Sequence, residues 1–192
     1  MLNSEATISS YALSLIGLRA IKSTDEDNTR SRLCENVLPI SIEVVLARLD
    51  WPFARHSMRL SSDPTVDTEE GTLAYALPAD CVTPNDVAPF GSGVDWEVMG
   101  EFILAAEAEY LLLKYTRRIP DPTKFSAGFK SCVARHMAAQ MAGPLTKASV
   151  KDISTLIEYF ELELSNATLV DANVGGGGRD TSTDPSLDSF NS

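Results

Sequence analysis

Histidine, cysteine and basic side chains are all scarce in this chain, and each scarcity removes a class of function. There are two histidines, His56 and His136, in 192 residues. Neither has a cysteine, histidine or carboxylate at a ligand spacing such as HxxxH or HExxH, so no metal centre is expected. The three cysteines, Cys34, Cys81 and Cys132, lie far apart and form no CxxC pair. An odd, scattered set reads as reduced, buried thiols in a cytosolic product, not as a disulfide framework. Asp80-Cys81 sets an acid beside a thiol. A cysteine nucleophile needs a base to form thiolate, and no histidine is near in sequence, so Cys81 is not expected to be catalytic. No run of eighteen apolar residues exists, which argues against a membrane-spanning helix. The start, Met1-Leu2-Asn3-Ser4-Glu5, lacks the basic and apolar blocks of a secretory signal.

Bases are outnumbered 16 to 27, giving a net charge of -11. Wrapping a nucleic-acid backbone requires a basic face, so that role is excluded. The excess is local: residues 61–122 hold 12 acids against 3 bases, whereas residues 1–60 hold 7 of each. Two readings stand: an ordinary solvated surface, or an acidic wall that DNA slides past by like-charge repulsion reaching about 8–10 Å at physiological salt. The glycine run 175–178 lacks GxxxxGK[ST] order and reads as a flexible linker, not a phosphate cradle. The carboxylate pairs Glu107/Glu109 and Glu161/Glu163 fall at i, i+2 and would not share a helix face. No catalytic, cofactor-binding or metal-binding residue is therefore assigned, and an enzyme is not expected.

What the chain does have is pattern. An apolar content of 44% suffices for an ordinary core. Ile8, Tyr11, Leu15 and Leu18 share the face of a first helix over 4–19. Leu33, Val37, Ile40, Val44 and Ala47 mark a second over 28–49, with Pro39 inside it, so a kink or a break is expected near 36–39. From 53 to 115 the runs shorten and turn residues multiply. Leu73–Ala76, Val94–Met99 and Glu101–Leu104 read as short strands, while Glu107–Tyr115 suits a strand or a helix. Asp121-Pro122 signals a third helix with Phe125, Phe129, Cys132 and His136 on one face and a stop at Gly143-Pro144. His136 reads as a hydrogen-bonded core or interface residue, and Trp51 and Phe53 as core anchors. Ile153, Ile157, Phe160, Leu164 and Ala167 stripe a fourth helix from Lys147 to Val170. The fold expected is α+β, mainly α: a four-helix bundle with a small antiparallel β insertion between helices 2 and 3 and an extended C-terminal tail. The bundle would take 1–52 and 116–172, the β-rich insertion 53–115, and a flexible arm 173–192, disordered when alone.

One ordered series of residues carries more. Cys34 lies in the helix that closes on Trp51-Pro52-Phe53-Ala54, and Tyr75-x-Leu77-Pro78-x-Asp80-Cys81-Val82 follows. Then come Trp96-x-Val98-x-Gly100, Ile103-Leu104, Leu113-x-Tyr115, Arg118-Ile119-x-Asp121-Pro122, Phe125-x-x-x-Phe129 and Ala138-Ala139-x-Met141-Ala142-x-x-Leu145-Thr146. In this order they resemble the tail tubular protein A family, the head-to-tail adaptors of short-tailed phages, over about residues 5 to 172. Leu38, Pro39 and Ile42 depart from the family's pattern. The resemblance implies a structural virion protein, made in the host cytoplasm, with no cofactor and no membrane partner. It implies a twelve-membered ring joining the portal protein to the tail nozzle protein, with DNA passing along the axis without specific binding. The tail would reach the portal, making Arg179, Leu187, Phe190, Asn191 and Ser192 candidate contacts. Some of Asp63, Asp67, Glu69, Glu70, Asp86 and Asp95 would face the channel or its mouth. Two other readings are a tail-borne enzyme acting on host envelope polysaccharide, which needs paired carboxylates in a cleft, and a cytosolic helical interaction module.

Overall fold

The third helix is buried on more than one side, and the arrangement of the other helices follows from that. The computed structural model describes residues 4–21, 29–88, 95–106 and 110–175. Helices α1 (Ser4–Leu15) and α2 (Thr29–Arg48) precede the strands, and α3 (Ala127–Thr146) and α4 (Val150–Gly175) follow them. Within α3, Phe129, Cys132, Val133, Ala134, Met137, Ala138, Ala139, Met141 and Ala142 are all buried. These residues do not fit a single stripe, and a helix that buries apolar side chains on several sides must be packed on several sides. Helices α1, α2 and α4 each pack on α3 and far less on one another. Ile8, Ala12 and Leu13 of α1, Cys34, Leu38, Val45 and Leu46 of α2, and Phe160, Leu164 and Ala167 of α4 share one core with it.

Between α2 and α3 lie six strands, not a small insertion: β1 (Arg55–Leu60), β2 (Thr72–Ala76), β3 (Cys81–Val87), β4 (Trp96–Met99), β5 (Phe102–Ala106) and β6 (Leu111–Arg117). They form two antiparallel sheets in the orders β1-β6-β3 and β2-β5-β4. Leu60, Tyr75, Val87, Ile103, Ala105, Leu111, Leu113 and Tyr115, drawn from both sheets, form a second core. The expected four-helix bundle with a small insertion is thus corrected on both counts. The helices gather around one central member, and the β region supports a core of its own. Two strands went unread for physical reasons. In β1 every residue before Leu60 is exposed. In β3, Pro84 is accommodated at an edge, with register shifts on both sides of it.

Local signals mostly lie close to the true boundaries. Asp121 accepts hydrogen bonds from the Thr123 backbone N–H (2.9 Å) and hydroxyl (2.6 Å), but it caps only the 3-10 turn Pro122–Lys124. Helix α3 begins after Ser126, whose Oγ accepts from the Phe129 N–H at 3.2 Å. It runs past Gly143-Pro144 to Thr146 and is closed by Lys147 in the left-handed region, with φ of 56°. Pro39 does not break α2. Ser149 and Asp152 form a reciprocal cap that starts α4 at Val150.

The α2 stripe is displaced by one position. The buried row is Ser31, Cys34, Leu38, Ser41 and Val45, and the expected Ile40 is 59% exposed. Tyr11 and Ile157, also expected inside, are exposed. The inner face of α2 uses serines, which reading by apolar residues alone passes over.

Trp51 sits where α2 hands over to the strands. It is 1% exposed, its Nε1 donates to the Val45 carbonyl at 2.8 Å, and its ring meets Phe129 edge-on at 5.0 Å. Phe53, half-buried, packs against Trp51, Phe125 and Phe129. Trp51→Ala is expected to cost about 3–5 kcal/mol in chemical denaturation, and Phe53→Ala less because its ring is partly solvated already. Unchanged unfolding of Trp51→Ala would contradict this packing.

Candidate functional site

Reactive side chains are kept apart in this structure. His56 lies on exposed β1 and stacks edge-on against Tyr115 at 5.5 Å. His136 lies in the helical core, with Nδ1 2.9 Å from the Ser41 hydroxyl and its ring 5.2 Å from Phe160. Burial, with the nearby Arg48 charge adding to it, holds the His136 pKa below 6.5, so the ring is neutral at pH 7. Among the described residues no group of three or more His, Cys, Asp or Glu is placed to hold a metal ion, and no helix is long and apolar enough to cross a membrane.

Asp80 and Cys81 show why the acid beside the thiol makes no nucleophile. Burial, with the Asp80 charge adding to it, pushes the Cys81 thiol up to about 11. It is therefore protonated at neutral pH. Asp80 has other work. Its carboxylate accepts from the Tyr115 hydroxyl at 3.1 Å and from Arg117 Nε at 2.6 Å, and its carbonyl accepts from the Arg118 N–H at 2.7 Å. Desolvation would raise the Asp80 carboxyl, but these hydrogen bonds and the guanidinium charge overcome it and hold the pKa below the usual 3.8. The node ties the turn before β3 to β6.

Two of the surface's shallow depressions are lined by described residues. One, of about 370 Å³, is bordered by Gly71, Thr72, Asp95, Trp96 and Glu97. Asp95 and Glu97 are both solvent-exposed there. A general acid needs an apolar, water-poor surround to stay protonated, and this depression does not supply one. The other, of about 490 Å³, lies among Leu15, Thr146, Lys147 and Asp152, and Asp152 is committed to capping α4.

The acidic residues singled out in the sequence fall into two groups. Asp63, Asp67, Glu69 and Glu70 share the connection between β1 and β2. Asp63 is half-buried and accepts from the Thr65 N–H and hydroxyl, and the other three are exposed. Asp95 borders the same depression as Gly71 and so lies at the end of that connection. Asp86 stands apart, opposite Lys114 in the β3–β6 ladder. The tail residues Arg179, Leu187, Phe190, Asn191 and Ser192 lie outside the described residues.

Sequence reading missed β1 and β3, the two edges of the first sheet. Strand β1 alternates His56, Met58 and Leu60 with Arg55, Ser57 and Arg59. That period of two was the available signal. Compared with known proteins, the chain matches no family model and no curated sequence.

Asp80→Ala is expected to lower stability by about 1–2 kcal/mol, because the buried Tyr115 hydroxyl loses its acceptor. Asp80→Asn keeps an acceptor and should lose less. The carboxylate's contribution is present above its unfolded pKa and is lost as pH falls below 3.8. Denaturant midpoints of parent and Asp80→Asn should therefore converge in acid, and a gap that widens there would contradict the node.

Proposed function

We propose that this chain is the head-to-tail adaptor of a short-tailed phage virion: one wedge of a ring that joins the portal to the tail nozzle and lets DNA pass along its axis. The observation that carries this reading is the order of motifs from Cys34 and Trp51-Pro52-Phe53-Ala54 through Tyr75-x-Leu77-Pro78-x-Asp80-Cys81 to Ala138-Ala139-x-Met141. The places these residues occupy support it. Trp51 locks the junction between helices and sheets, Tyr75 is wholly buried between the sheets, and Asp80 anchors β6. Each is a framework role, as a mechanical subunit requires. The exposed acids of the β1–β2 connection suit a surface that repels DNA. The polysaccharide-degrading alternative needs a water-poor carboxylate pair, and Asp95 and Glu97, which share one depression, are both solvent-exposed.

The direct test is attachment. Full-length chain should co-sediment with portal-bearing particles, while a chain lacking 174–192 should stay folded by circular dichroism and remain in the supernatant. If the full chain does not bind such particles, the adaptor reading fails. Equal binding by the truncated chain would remove the tail from portal contact.

A further inference from the structure

Of the four edge strands in the β unit, two are interrupted or bridged among the described residues and two are not. Strand β3 is interrupted by Pro84 and by register shifts. Strand β2 carries a bridge from Ser62 to Tyr75, and its Ala74 carbonyl accepts from the Asp63 N–H at 2.8 Å. Strands β1 and β4, like β2 and β3, pair with a strand on one side only, but they run in regular register with no such interruption. Both leave an apolar side chain of their core-facing row half-exposed. Met58 pairs with the fully buried Leu113 yet is 45% exposed, and Val98 pairs with the fully buried Ile103 yet is 49% exposed. An added strand is what would cover each of them.

The two edges also differ in charge. Strand β1 carries Arg55 and Arg59, and the Arg59 guanidinium is held 3.7 Å from the centroid of the Tyr110 ring. Strand β4 carries Glu97 and is flanked by Asp95 and Glu101. Pairing of β1 with β1 would oppose arginines, and pairing of β4 with β4 would bring carboxylates together. Only the mixed pairing can set opposite charges against each other.

We propose that β1 of one copy pairs antiparallel with β4 of the next, so that each sheet continues into the neighbour's other sheet. The inference rests on the ring reading above and names its interface. Setting Met58 opposite Val98 fixes the register. Leu60 then meets Trp96 on the same core-facing row, while Arg59 meets Glu97 and Ser57 meets Met99 on the outer row. Apolar pairs and the ion pair fall on their own faces without a slip, which is what a built register requires. The contact joins two different edges, so it is head-to-tail. A contact of that kind propagates into a ring when its rotation closes.

The test uses full-length chain, alone and on portal-bearing particles. A mixture of Met58→Cys and Val98→Cys chains in a Cys81→Ser background should form a disulfide-linked dimer on mild oxidation. Arg59→Glu or Glu97→Arg alone should weaken self-association roughly three- to tenfold, most at low salt, and the double swap should restore it. If oligomers form but neither the cross-link nor the rescue appears, the β1–β4 interface is wrong while the ring reading survives. A cross-link from either cysteine to a portal or nozzle protein instead would show that those partners cover the edges, and would likewise overturn it. A chain that stays monomeric in both settings overturns the interface and the ring reading together.

Discussion

The enclosure of α3 is the constraint from which the helical half follows. Its buried alanines, methionines and Phe129 are spread around the helix, with polar exceptions such as Lys130 and Gln140, so three other helices are brought to it. Small residues keep these contacts close. Ser41 on α2 can lie inside because His136 of α3 hydrogen-bonds to it. The imidazole in turn stays neutral because that site is desolvated. A buried polar pair of this kind is tolerated only when it is satisfied, and it fixes which face of α2 points inward.

The helical and β cores are joined at one seam. On its apolar side Trp51, Phe53, Phe125 and Phe129 form a continuous aromatic set, and Val82 of β3 packs against the helical core. On its polar side Asp50 accepts from Arg55 at 2.8 Å and from Asn85 at 3.3 Å, and Asn85 also donates to the buried Thr116 hydroxyl at 3.1 Å. The end of α2 is thereby fastened to β1, β3 and β6 at once.

How far the chain could be read from sequence depended on the kind of physics involved. Local chemistry was partly legible. Asp121 is a cap as read, but of a 3-10 turn. Ser126 and the Ser149/Asp152 pair, which the sequence reading passed over, cap the helices themselves, and Trp51 is the buried anchor its position suggested. Faces were less so. The inner row of α2 includes Ser31 and Ser41, and counting apolar residues turned the helix by one position. The size of the β unit was hidden because β1 is solvent-exposed and β3 contains a proline. Both are edge-strand properties, and edges are set by which strands pair at long range. For the acidic residues, turn composition gave exposure, and only the fold groups Asp95 with the β1–β2 connection and sets Asp86 apart. The open edges that would join one copy to the next belong to topology and could not be read residue by residue.

The central claim is that this chain is a unit of a closed ring. End-on imaging of the full-length chain assembled on portal-bearing particles, with symmetry assigned without imposing it, tests that most directly. The account expects a closed ring of twelve copies around an open axis. Isolated single copies on the particles, or an open filament that never closes, would contradict it.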